Sequence, residues 1–191
     1  MSKATFLFIW LSLFFIPLLL ALLDRRMFVL PIGFLLFEIW RMWTHPFGVE
    51  WVPSPQRIVE KMLKLGKVSR NDIVYDLGSG DGRIVISAAK LGARAIGVEL
   101  DFLRVLIGRI KIKLARLENK ARIDQGDFYK ADVKNATVVT LFLLPKTMEK
   151  IENKLKKELR KGARVVSYRF VFKDWEPAKI DEENKIYLYK I

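Results

Sequence analysis

A chain of 191 residues that is 51% hydrophobic and carries a formal net charge of +13 holds one full domain plus an appendage. The charge draws it to nucleic acid, anionic lipid head groups or an acidic protein face. The absence of cysteine excludes disulfides, thiolate zinc sites and cysteine nucleophiles, and the single histidine, His45, stands isolated beside an apolar stretch, which leaves little room for imidazole chemistry.

Residues 4–23 read ATFLFIWLSLFFIPLLLALL, without a charge. At about 1.5 Å per helical residue the run matches the roughly 30 Å hydrocarbon core of a bilayer. Pro17 is compatible with a membrane helix whose neighbours satisfy the freed carbonyl. Only Lys3 precedes the run and no small-x-small cleavage site separates it from Asp24-Arg25-Arg26, so a retained anchor is expected rather than a secretory signal peptide. A second apolar segment, 27–43, contains Pro31, Gly33 and Glu38 and ends near Trp40 and Trp43; it reads either as a second span or as an interfacial segment. The expected organisation is a membrane anchor over 1–45 and a soluble domain over 46–191.

In the soluble part, Ser54-Pro55 starts a helix whose apolar face is Ile58, Val59, Met62 and Leu63, ending at Gly66. Strands are expected at 73–77, 95–99, 122–125, 137–144, 163–170 and 185–190. Helices are expected at 83–90, from an Asp101 cap to about 117, and through Met148, Ile151, Leu155 and Leu159 to Gly162. Alternation of strands and helices predicts a doubly wound, mainly parallel α/β sheet with its ligand crevice beyond the carboxyl ends of the strands.

The stretch VYDLGSGDGR places Gly78, Gly80 and Gly82 in the first strand-to-helix turn, with Ser79 between them. Residues without Cβ there let the backbone bend sharply and approach a ligand. The spacing is G-x-G-x-G, unlike the G-x-G-x-x-G of dinucleotide sites, and Asp76 and Asp81 would repel a pyrophosphate. Those acids favour a ligand carrying an amino or sulfonium cation. Glu99, at the next strand end, is placed to accept from two ribose hydroxyls, and Asp127 in QGDF from an adenine amino group with Phe128 beside the base.

On DLGSGDGR and on Glu99 in GVEL, the chain resembles class I S-adenosylmethionine-dependent methyltransferases, with a Rossmann-like, seven-stranded sheet implied. WVPSPQRIVEKML, ATVVTLFLLPK and KKELRKGARVVSYRFVFKDW narrow the resemblance to the small protein lysine methyltransferases of archaea and the mitochondrial enzymes that modify the c subunit of ATP synthase. The resemblance implies S-adenosylmethionine as cofactor. It places Asp76, Gly78, Gly80 and Asp81 around the methionine part, Glu99 at the ribose and Asp127 with Phe128 at the adenine, while the stretch from Trp51 through Pro53 to Ser54 covers the cofactor. Tyr168 and Arg169 stand where the archaeal pattern carries His and an acid.

Leu143-Leu144-Pro145-Lys146 occupies the place of the Asn-Pro-Pro-Tyr-like motif of adenine and glutamine amino-methyltransferases, and no acid cluster there offers a magnesium site. The remaining chemistry is in-line displacement at a sulfonium methyl. Leu143, Leu144, Pro145 and Phe170 are expected to desolvate an acceptor lysine and lower its pKa, with Thr140 and Ser167 as candidate partners of the amine; no side chain is identified as a base. Outside residues 1–43 there remain 30 basic against 19 acidic side chains, net +11, which suits a domain on the cytosolic side of an anionic membrane, acting on a membrane-associated protein. A lipid or small lipophilic acceptor, and a silent cofactor-binding scaffold, are the alternative readings. Nucleic acid is disfavoured because no aromatic-interleaved RNA motif is present.

Overall fold

The computed structural model describes residues 32–37 and 52–191. The chain divides into two units, Met1–Gly48 and Val49–Ile191. Of the first, residues 32–37 are helical. The expected span at 4–23, most of the segment at 27–43, and Trp51 lie outside the described residues. No helix among the described residues is long and apolar enough to cross a membrane.

The second unit opens with helix α1, Gln56–Leu65, which buries Ile58, Val59, Met62 and Leu63. Strand β1, Ile73–Leu77, leads through the glycine turn into α2, Arg83–Lys90. Then follow β2, Arg94–Glu99, α3, Phe102–Leu114, and β3, Ala121–Gln125. Strand β4, Val138–Leu141, precedes α4, Pro145–Glu158, and the chain closes with β5, Arg164–Tyr168, β6, Lys179–Asp181, and β7, Ile186–Lys190. The seven strands lie in the order β3-β2-β1-β4-β5-β7-β6. The first five are parallel, whereas β7 runs antiparallel to both neighbours. This is the expected doubly wound, mainly parallel α/β sheet.

Alternation along each strand sends successive side chains to opposite faces of the sheet, and both faces are dry. Val74, Val138 and Val166 join the inward faces of α1, α2 and α3. Their chain neighbours Val139 and Val165 point the other way, into a second core with Leu141, Met148, Ile151 and Leu155, closed by the C-terminal Phe172 and Tyr189. Beyond the amino ends of the strands, Asp72 gathers Ser69, Thr137 and Arg164 around one carboxylate and so ties β1, β4 and β5 together.

Strand β4, helix α3 and strand β6 are among the elements that differ from the sequence-based expectation. Strand β4 ends at Leu141 rather than 144, because the extended Leu144 and Pro145 at the first helical position launch α4 directly. Helix α3 stops at Leu114, and the left-handed Arg116 (φ +56°) turns the chain away. Strand β6 has no counterpart among the expected elements; three residues, KID, two of them charged and none buried, carry no alternation to detect.

Glycines set the closest approach between α3 and the sheet. A Cβ at Gly108 would stand 2.2 Å from Ile123 Cδ1 and 3.3 Å from the Asp81 carbonyl. Gly108→Ala is expected to lower stability by about 1–3 kcal/mol, as overpacking does. Ile123→Val removes the colliding methyl, so in a double-mutant cycle by chemical denaturation the two changes should be markedly less than additive.

Candidate active site

At the end of β1 the chain turns through Gly78, Gly80 and Gly82, with φ of +82°, +54° and +78°. Side chains rarely adopt these values, so the backbone path itself requires glycine. Space requires it as well: a Cβ at Gly82 would meet Ile123 Cδ1 at 2.6 Å, and one at Gly78 would meet Leu143 Cδ2 at 3.1 Å. The amides of Gly78 and Ser79 donate to Val98 O at 2.9 and 3.1 Å, which fastens the turn to β2. Ser79 through Gly82 are buried while Gly78 is exposed, so the turn presents its backbone to the outside at one point. The Ser79 Oγ is buried without a hydrogen-bond partner.

Three acids crowd this turn, and their partners differ. Asp76 is buried, in register between Gly97 of β2 and Thr140 of β4, and accepts from Thr140 Oγ1 at 2.9 Å. Burial pushes its carboxyl up to about 7; the Thr140 bond pulls it back, and the charges of Glu99 and Asp81 push it further up. Glu99 divides its two oxygens: Oε2 accepts from Gly80 N at 2.8 Å and Oε1 from Asp101 N at 2.9 Å. Each oxygen keeps a further lone pair for a hydroxyl donor.

Asp81 departs from expectation. Arg83 grips it with Nε and Nη2 at 2.9 and 2.8 Å, and Lys111 Nζ reaches it from α3 at 2.6 Å. Burial opposes ionisation, but these two cations bring its carboxyl down to about 2. The carboxylate is therefore consumed by an ion triad and does not stand as an open charge for a ligand cation. Arg83 Nη1 also donates to Ser54 O at 2.7 Å, so the triad extends to the segment entering α1. Neither Arg83 nor Lys111 stands out in the sequence, since Arg83 reads as an ordinary first helical residue and Lys111 lies thirty positions from Asp81 on a helix full of cations.

The carboxyl end of β3 comes alongside through Gly126 N, which donates to Glu99 O at 2.9 Å. Asp127 Oδ1 accepts from Tyr129 N at 2.9 Å, a local turn that places the half-buried Phe128 next to the Tyr129 ring. Asp76, the glycine turn, Glu99 and Asp127 thus follow one another across the adjacent ends of β1, β2 and β3.

The expected acceptor residues separate. Leu143 is buried under the turn, whereas Leu144, Pro145 and Pro53 are exposed. Thr140 directs its hydroxyl to Asp76, and Ser167 donates to Phe170 O at 2.6 Å, so both are occupied within the protein. Beyond β4 and β5 an aromatic group forms instead: Phe142 lies 4.7 Å from Tyr168 and 6.3 Å from Phe170 between ring centroids. Phe142 is hidden inside the run TLFLL, in which every residue reads as strand core.

The residues expected to meet a ligand with a cation, a diol and a flat base thus lie together at the carboxyl ends of adjacent strands of a Rossmann-like sheet. A solved structure agrees: the RNA methyltransferase from Salinibacter ruber in complex with S-adenosyl-L-homocysteine has a TM-score of 0.71 and 43% identity, covering 73% of this chain and 94% of that one. A protein-lysine N-methyltransferase of Saccharolobus islandicus is 43% identical over 151 residues, 75% of this chain and 94% of that protein. The Xenopus laevis lysine N-methyltransferase of the ATP synthase c-subunit is 38% identical over 130 residues, 68% of this chain but 57% of that enzyme. Residues 76–179 match the ANTKMT methyltransferase domain model, and the chain belongs to that family. It is an S-adenosylmethionine-dependent methyltransferase.

The residues fit that cofactor: an open glycine turn, a buried ionisable Asp76 for the cationic end, Glu99 with spare acceptor capacity for a diol, and Asp127 with Phe128 for a base. When bound, the cofactor supplies an electrophilic methyl on a sulfonium.

The high Asp76 value has a definite sign. A carboxyl raised from 3.8 to about 7 contributes stability that is present below pH 3.8 and lost as pH rises through about 7. The cofactor-free protein is therefore expected to weaken by a few kcal/mol from this group as pH rises from about 4 to 8, and Asp76→Asn should flatten the slope in chemical denaturation. A cationic ligand favours the ionised form, so calorimetric affinity for the cofactor should rise across about pH 6–8 in the native protein and stay nearly level, and weaker, in Asp76→Asn.

Proposed function

We propose that this protein is a membrane-associated protein-lysine N-methyltransferase working at the cytosolic face of a membrane. What carries the reading is the agreement with a protein-lysine N-methyltransferase over 151 residues at 43% identity. The aromatic group beyond β4 and β5 supports it, because Phe142, Tyr168 and Phe170 bring no carboxylate or imidazole.

The chemistry then rests on positioning and desolvation. Phe142, Tyr168 and Phe170 strip water from an entering lysine, which disfavours its ammonium form and releases the proton to solvent. Asp76, the glycine turn and Glu99 would hold S-adenosylmethionine so that its sulfonium methyl could pass in line to the neutral Nζ, the new N–C bond being matched by return of the S–C pair to sulfur. Asp76, held by Thr140, stabilises the cationic end while Glu99 keeps the turn and the ribose site in register. Membrane association is supported by the uncharged run at 4–23 and by the net +11 of the remainder.

An RNA acceptor, as named for the Salinibacter enzyme, is the second reading, resting on 43% identity. The deciding experiment incubates full-length protein with methyl-labelled S-adenosylmethionine, membranes and RNA from its own source, with Asp76→Ala as blank. Label is expected as methyl-lysine after protein hydrolysis. Label in nucleosides supports the second reading, and label in the lipid extract overturns both. Phe142→Ala is expected to reduce kcat/KM for the protein acceptor about tenfold, equivalent to about 1.4 kcal/mol. If the aromatic group acts by desolvation, steady-state profiles should show the loss shrinking as pH rises toward the ordinary lysine value.

A further inference from the structure

Helix α3 is apolar on two sides. Val105, Gly108 and Ile112 face inward and suffice to seat it on the sheet. Phe102, Leu103, Leu106, Ile107, Ile110 and Leu114 are exposed, from 43% for Leu103 to 79% for Leu114. At 3.6 residues per turn these six fall on one continuous side of the helix, away from the inward trio. Apolar side chains left this open keep much of their surface in water, and contiguous exposed apolar surface marks an interaction site.

The flanks identify the occupant. Arg109 and Lys113 border the apolar side on one edge, and Arg104 and Lys111 border it on the other, where they also hold Asp101 and Asp81. From Phe102 to Leu117 there is no acidic residue, and Arg116 follows the last turn. An apolar band edged on both sides by cations, on a convex helix, is the pattern of helices that lie in a membrane interface: acyl chains receive the aliphatic side chains while Lys and Arg extend to the head groups. The net +11 outside residues 1–43 complements the same anionic surface. A peptide or protein partner would need matching acids and a shaped surface, and the outward side of α3 carries no acid of its own to specify one.

We propose that the outward face of α3 is the surface through which this domain rests on an anionic bilayer. The proposal rests on the membrane reading above and deepens it by assigning the contact face. Asp101, which caps α3 through Leu103 N and Arg104 N, is also bonded to Glu99. Contact along α3 therefore brings the cofactor end of the sheet to head-group level, where a lysine at a membrane surface lies within reach.

The natural absence of cysteine makes the test direct. Leu106→Cys, Ile110→Cys and, as a control on α4, Lys157→Cys would each be spin-labelled in the full-length protein. Flotation with vesicles, and label accessibility to oxygen and to a water-soluble nickel chelate, would be measured with phosphatidylcholine alone and with one-quarter phosphatidylserine. The expected result is a several-fold rise in the oxygen-to-nickel accessibility ratio at 106 and 110 with the anionic vesicles, reduced by high salt, and no change at 157. Labels at 106 and 110 that stay aqueous while the protein floats would overturn the proposal and leave membrane association standing. Failure to float would overturn both. Labels shielded without lipid would also overturn the proposal, since a second copy or the chain's own apolar segment would then cover the face. Leu106→Ser with Ile110→Ser provides a second check: unchanged stability and unchanged turnover of a soluble acceptor are expected, with the extra flotation on phosphatidylserine-containing over phosphatidylcholine vesicles lost; extra flotation that persists would overturn the proposal.

Discussion

The Glu99 carboxylate is the constraint on which the site depends. One oxygen holds Gly80 N of the glycine turn and the other holds Asp101 N at the start of α3, so a single buried side chain ties the turn after β1 to the junction of β2 and α3. Charge-assisted bonds of this kind are short and strong in a dry setting, and loss of the carboxylate would leave two buried donors unpaired. The same group retains acceptor capacity for a diol. Structure and ligand binding are therefore not separable at this residue.

Around that pivot the three acids divide into distinct electrostatic roles. Asp81 is neutralised within the protein by Arg83 and Lys111, and through Arg83 it reaches Ser54 before α1. Among the described residues Asp76 accepts from the Thr140 hydroxyl alone, and its burial disfavours the charged form, which a cationic ligand would favour. Burial of Asp76 thereby contributes to selectivity for a cation. The close glycine contacts at Gly82 and Gly108 keep Ile123 and α3 near enough for Lys111 to take part.

Legibility in the sequence varies with the range of the interaction. The turn, its glycines, the strand-end acids and the Asp101 cap are all readable, because each depends on local backbone geometry and a spacing of a few residues. The partner of Asp81 on α3, the bond from Thr140 to Asp76 and the aromatic group of Phe142, Tyr168 and Phe170 are not. In the FLLP that follows Leu141 every residue is apolar, so alternation gives no signal of where β4 stops or which side chain leaves the sheet. The exposed side of α3 is concealed for a related reason: with apolar residues both inward and outward, its sequence resembles a fully buried helix edged by solvated charge.

By itself the sequence determined the class of fold, the glycine turn after β1 and the acids around it, since glycine at positive φ, an apolar strand and a capped helix are decided by neighbouring residues. Only the tertiary structure decided which acid remains open to a ligand, where the acceptor side lies, that β7 inserts between β5 and β6, and which face of α3 lacks a partner within the domain. Those outcomes depend on which distant side chains meet across the sheet, and local propensity contains no information about such meetings.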